Sequence, residues 1–89
     1  CMSSLTQVGQ TVLNTLEYLW TKQLVFCDSE ILRLSPMFTD DALLAEEIIC
    51  GVHELMDEGI IENCFDSSAT QYRFTEDWVN CLLHQGVEE

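Results

Sequence analysis

The heptapeptide Leu55-Met56-Asp57-Glu58-Gly59-Ile60-Ile61 limits the fold of this chain more than any other stretch. Ala45, Ile48, Ile49, Val52, Leu55 and Met56 lead into it at the three- and four-residue steps of one helix face. Gly59 then supplies the residue suited to the left-handed position after a helix end. Ile60 and Ile61 open a β-favouring segment, Ile60 to Phe65, which Asp66-Ser67-Ser68-Ala69-Thr70 separates from a second one, Gln71 to Phe74. A long helix therefore hands over to a β-hairpin, and the fold class is mainly α with a small hairpin.

The remaining elements follow from the same signals. Leu5, Val8, Val12, Leu13, Leu16, Leu19 and Trp20 put one apolar face on a first helix from Thr6 to Lys22. Its other face, Gln7, Gln10, Thr11, Asn14, Thr15 and Tyr18, is polar and uncharged. Leu24 to Cys27 is too short for a helix and reads as a short buried strand or link. Asp28-Ser29 gives a start signal for a second helix, Ser29 to Ser35, with Ile31, Leu32 and Leu34 inward and Pro36 ending it. Thr39 is the expected N-cap of the third helix, with Asp40 and Asp41 in its first turn, where the helix dipole favours acids. Thr75 caps a last helix that carries Trp78, Val79, Cys81, Leu82 and Leu83 and ends near Gly86. Eighty-nine residues hold one core. A single domain over 1–89 is expected, with its core at about 5–84 and flexible ends at 1–4 and 86–89.

Charge narrows the function. Sixteen acids against three bases leave a formal net charge of −13, while 47% apolar residues exclude a disordered tail. Lys22, Arg33 and Arg73 form no patch, so no direct nucleic-acid binding is expected, since that affinity comes from cations neutralising phosphates. No apolar run approaches the ~20 residues of a membrane span. Residues Cys1 to Leu5 lack the basic and apolar parts of a signal peptide, and a cytoplasmic location is expected. The five cysteines are odd in number and widely spaced, which points to reduced thiols and to no metal site. His53 and His84 stand in no spacing for a nucleophile pair, and there is no glycine-rich phosphate loop, so neither an enzyme nor a cofactor is expected.

The order helix, short strand, short helix, long helix, hairpin, helix resembles a winged-helix domain. Leu55-Met56-Asp57-Glu58-Gly59-Ile60-Ile61 and Tyr72-Arg73-Phe74-Thr75-Glu76-Asp77 carry the resemblance, which covers about Thr6 to Leu83. It implies a scaffold that reads DNA with its third helix in the major groove. The third helix here has no Lys or Arg. Asp40, Glu46, Glu47, Glu54, Asp57 and Glu58 fall opposite its apolar stripe, where they oppose DNA.

Two apolar residues, Leu43 and Cys50, project among those acids, and Leu43 is the expected anchor for a basic protein surface. The leading expectation is thus an acidic adaptor or inhibitor whose partner is a basic protein, with a DNA mimic that occupies a nucleic-acid-binding protein as its sharper form. A winged-helix regulator acting as a dimer or with a basic partner subunit is one alternative, and a structural subunit of an assembly is another. Both would use the neutral surface, with Tyr18, Thr11, Asn14, Trp78 and Leu82 as a homodimer or assembly face.

Overall fold

The computed structural model describes residues 5–64 and 71–87. The elements follow in the order α1 (Gln7–Trp20), β1 (Phe26–Cys27), α2 (Asp28–Leu34), a short 3-10 helix (Ser35–Phe38), α3 (Ala45–Asp57), β2 (Ile61–Cys64), β3 (Gln71–Phe74) and α4 (Glu76–Val87). The described part is mainly helical with a three-stranded antiparallel sheet in the order β1-β3-β2. Ile61 faces Phe74 and Cys64 faces Gln71 across the hairpin, while Phe26 faces Tyr72 on the other edge of β3. The expected turn at Asp66 to Thr70, the strand end at Phe65 and the expected flexible ends at 1–4, 88 and 89 lie outside the described residues.

The α3-to-β2 handover forms as the sequence requires. Gly59 takes φ 78°, Gly59 N–H donates to the Met56 carbonyl at 3.1 Å and Ile60 N–H to the Leu55 carbonyl at 2.9 Å. These are the paired bonds of a Schellman helix end, in which the left-handed residue lets the chain turn back. Thr75 locks the other side of the joint. Its hydroxyl donates to the Gly59 carbonyl at 2.7 Å, its N–H to the Ile60 carbonyl at 3.0 Å, and its oxygen accepts Trp78 N–H at 3.4 Å as the expected cap of α4.

Val12, Leu13, Leu16 and Leu19 of α1 and Ile48, Val52 and Leu55 of α3 close the core with Phe26, Ile31, Ile60, Ile61, Tyr72 and Phe74. Phe74 meets Phe26 edge-on at 5.3 Å and Trp20 at 6.3 Å. Helices α1 and α3 cross closely because two glycines, Gly9 and Gly51, stand at the crossing. A Cβ on Gly51 would lie 2.9 Å from Val12 Cγ2 and 3.2 Å from the Val8 carbonyl, and one on Gly9 would lie 2.5 Å from Glu54 Oε1.

Several expectations are corrected. α3 begins at Ala45, not behind Thr39: the Thr39 hydroxyl accepts Asp41 N–H at 3.2 Å and closes a local turn, and residues 39–44 are a loop. α2 starts one residue early, and neither Asp28 nor Ser29 caps it; Glu30 does, accepting Cys27 N–H at 3.3 Å. Leu24 is 71% exposed. Thr11 and Thr15 are buried, not part of an open polar face, because the 3-10 helix packs against α1 on that side. Each hydroxyl is satisfied on the carbonyl four residues back, Thr11 on Gln7 and Thr15 on Thr11, both at 2.9 Å, and Thr15 also meets the Ser35 hydroxyl at 3.3 Å.

Candidate functional site

The acids predicted to share one face divide into four groups. Glu46, Asp57 and Glu58 point outward on α3 and its end, exposed together with Cys50 and His53, and without a hydrogen-bond partner among the described residues. Nothing of opposite charge sits on this helix. Its outer surface is a carboxylate face.

Glu47 is exposed yet occupied. Its Oε1 accepts the N–H of Leu44, the residue before the helix, at 2.9 Å. A glutamate three positions into a helix that reaches back in this way satisfies a donor the helix start would leave open. Glu54 does not belong to the outer face at all. It turns toward α1, where Oε1 accepts Thr6 N–H at 3.1 Å and Oε2 accepts the Thr6 hydroxyl at 2.8 Å. Thr6 in turn caps α1 by accepting Gly9 N–H at 3.2 Å. One carboxylate therefore fastens the start of α1 to α3.

Asp40 is exposed in the loop before α3 rather than on the helix. Leu43, the expected anchor, is half-buried against the core, and its neighbour Leu44 is 65% exposed. The two exchange roles because the helix begins after them, so helical spacing does not govern where they point. Sequence reasoning missed Leu44 for that reason. It weighed His53 only against catalysis and not as part of this face, although that residue lies one turn from Cys50 and is exposed beside it.

A groove of about 240 Å³ opens between the first turns of α1, the loop and α3. Val8, Ala42 and Leu43 form its apolar lining, and Asp41 and Glu47 its acidic part. Gln7 Nε2 donates to Asp41 Oδ2 at 3.3 Å and ties the loop to α1.

The expected dimer or assembly residues do not form one surface. Tyr18 is 45% exposed, with its ring 5.7 Å from Phe38 and Lys22 Nζ 5.2 Å from its centre. Asn14 is exposed beside it, accepting from Gln10 Nε2 at 3.3 Å, but Thr11 is buried. Trp78 and Leu82 are half-buried on the core, Trp78 with its indole N–H buried and unpartnered among the described residues.

Tyr72 and Glu17 titrate away from their ordinary values. Burial pushes the Tyr72 phenol up to about 12, helped by its hydrogen bond to Asp28 and by that residue's negative charge. Burial also raises the Glu17 carboxyl. Asp28 keeps one buried oxygen without a partner among the described residues. Among those residues no group of three or more His, Cys, Asp or Glu is placed to hold a metal, and no helix is long and apolar enough to cross a membrane. Compared with known proteins, the chain matches no family model, no curated protein and no solved structure.

Proposed function

We propose that this chain is an acidic protein-interaction module that binds a basic protein surface through the outer face of α3. The observation that carries the reading is the pairing of exposed Glu46, Asp57 and Glu58, without a hydrogen-bond partner among the described residues, with the 65% exposed Leu44 at the start of the same helix. Complementary charge speeds encounter and makes affinity fall with salt, while a desolvated apolar side chain slows dissociation. The module acts by steering and occlusion. In its sharper form the carboxylates imitate phosphates, and the protein competes with DNA for a nucleic-acid-binding partner.

A winged-helix-like scaffold is part of the proposal, supported by the element order and by β1 pairing with β3 at the edge of the hairpin. That order also supports a second reading, a regulator that contacts DNA with a basic subunit supplying the cations.

A pull-down from the source lysate with wild type and a Glu46→Lys/Asp57→Lys variant tests the first reading. Recovery of a basic protein by wild type alone, with retention that falls as salt rises, is the expected outcome, and DNA should displace that protein if the mimic form holds. Identical recovery by both baits moves the site off α3. A mobility shift of duplex DNA by the isolated protein at ~50 mM salt would favour the regulator instead.

A further inference from the structure

We infer that the groove between α1, the loop before α3 and α3 itself takes the side chain of a single lysine or arginine from the partner, an inference that rests on the acidic-module reading above. Size limits the occupant first. At about 240 Å³ the groove lies below the ~300–1,000 Å³ of pockets that hold cofactors or drug-sized ligands, and it suits one long side chain.

Chemistry selects which side chain. Val8, Ala42 and Leu43 offer an apolar wall, and Asp41 and Glu47 offer carboxylates in the same space. Lysine and arginine combine an aliphatic stem with a cationic head and need both kinds of surface at once. An apolar residue would leave the acids facing it desolvated, and an acidic one would be repelled.

The two carboxylates are also held in place without being used up. Asp41 Oδ2 accepts from Gln7 and Glu47 Oε1 from Leu44 N–H, which leaves Asp41 Oδ1 and Glu47 Oε2 with no partner among the described residues. Neither charge is neutralised from within. No Lys or Arg lines the groove; Lys22 lies over Tyr18, and Arg73 pairs with Glu62 at 2.8 Å on the hairpin. The helix starts that border the groove have their own acceptors, since Thr6 takes Gly9 N–H and Glu54 takes Thr6 N–H. Leu44, the exposed neighbour in sequence of the groove-lining Leu43, offers the same partner a further apolar contact.

The test is an amide-resolved NMR titration of the full chain with an oligolysine peptide at about 20 mM salt, where charge pairs are little screened. The same peptide with every side-chain amine acetylated is the neutral control. Shifts should concentrate at Val8, Thr11, Ala42 and Leu43 and vanish with the acetylated peptide. Asp41→Asn/Glu47→Gln keeps both internal acceptors while removing both charges, and should weaken binding roughly tenfold. Glu76→Gln/Asp77→Asn removes equal charge on α4 and should change affinity less than about twofold.

Equal groove shifts from the acetylated peptide would overturn the basic-side-chain assignment. Shifts confined to Cys50, His53 and Asp57, indifferent to the groove variant, would overturn the groove while sparing the outer face of α3. Absence of any shift with the charged peptide would overturn both.

Discussion

The inner and outer sides of α3 use the same side chains for opposite ends. Glu54, on the inner side, is bound twice by Thr6 and fixes where α1 begins. Glu46, Asp57 and Glu58, on the outer side, touch no hydrogen-bond partner among the described residues. Elsewhere the same division holds, with Glu30 accepting from Gln23 Nε2 at 2.7 Å and from Cys27 N–H at 3.3 Å, while Asp40 stays exposed. A net charge of −13 is therefore not a uniform coat. Part of it is invested in helix starts and strand contacts, and only the remainder is available to a partner.

The contrast is tested most severely where the inner side is tightest. Gly51→Val puts a branched side chain against Val12 Cγ2 and the Val8 carbonyl, so α1 and α3 must separate; a loss of about 2–3 kcal/mol in urea unfolding is expected. Stability near wild type would mean that the helices do not cross so closely. Tyr72→Phe comes next, since it removes a buried phenol hydroxyl beside the half-buried Asp28 carboxylate and should cost about 1–2 kcal/mol. It carries a pH signature as well. The folded-state value of about 12 stands above the ordinary 10.0, so the contribution of Tyr72 is complete below pH 10 and lost as pH rises from there toward 12. That alkaline loss, followed by the urea midpoint, should be smaller in Tyr72→Phe. Glu54→Ala removes two bonds to Thr6 and should cost about 1–2 kcal/mol, with faster hydrogen exchange in the first turn of α1.

Much of the inner side was legible in the sequence, and the reasons are local. Gly59, Thr75 and the apolar steps of α1 and α3 each act through their own backbone or neighbouring turns, so their residue types announce their positions. Thr6, read as the first residue of the helix, is instead its cap. The Gly9 and Gly51 crossing was not legible, because a missing Cβ matters only when another helix lies against it. Thr11 and Thr15 read as surface by polarity, yet their spacing of four residues held the clue: a threonine that bonds the carbonyl four back can be buried at little cost. The outer site was only partly legible. Glu46, Asp57, Glu58 and Cys50 emerge where the helical count puts them, whereas Asp40 and Leu43 were misplaced, and Leu44 missed, by a helix start set five residues too early, with the N-cap at Thr39 instead of Leu44. Glu54 was misassigned because a ~100° count places a carboxylate at the edge of a stripe without saying which neighbour it bonds.

The smallest expected effect on stability is the one that separates the two sides most sharply. Glu46→Gln/Asp57→Asn/Glu58→Gln removes three charges that have no described hydrogen-bond partner, so the urea midpoint should move by less than about 0.5 kcal/mol. A slight rise is the favoured direction, since each lost charge relieves repulsion within an acidic chain. Glu46 sits in the first turn of α3, where the dipole favours an acid, and this offsets part of that gain. The same variant should lose the salt-sensitive retention of a basic partner. An outer face that exists only to keep the protein in solution would give unchanged retention at unchanged stability, and a marked loss of stability would place these acids with Glu54 among the groups that hold the fold.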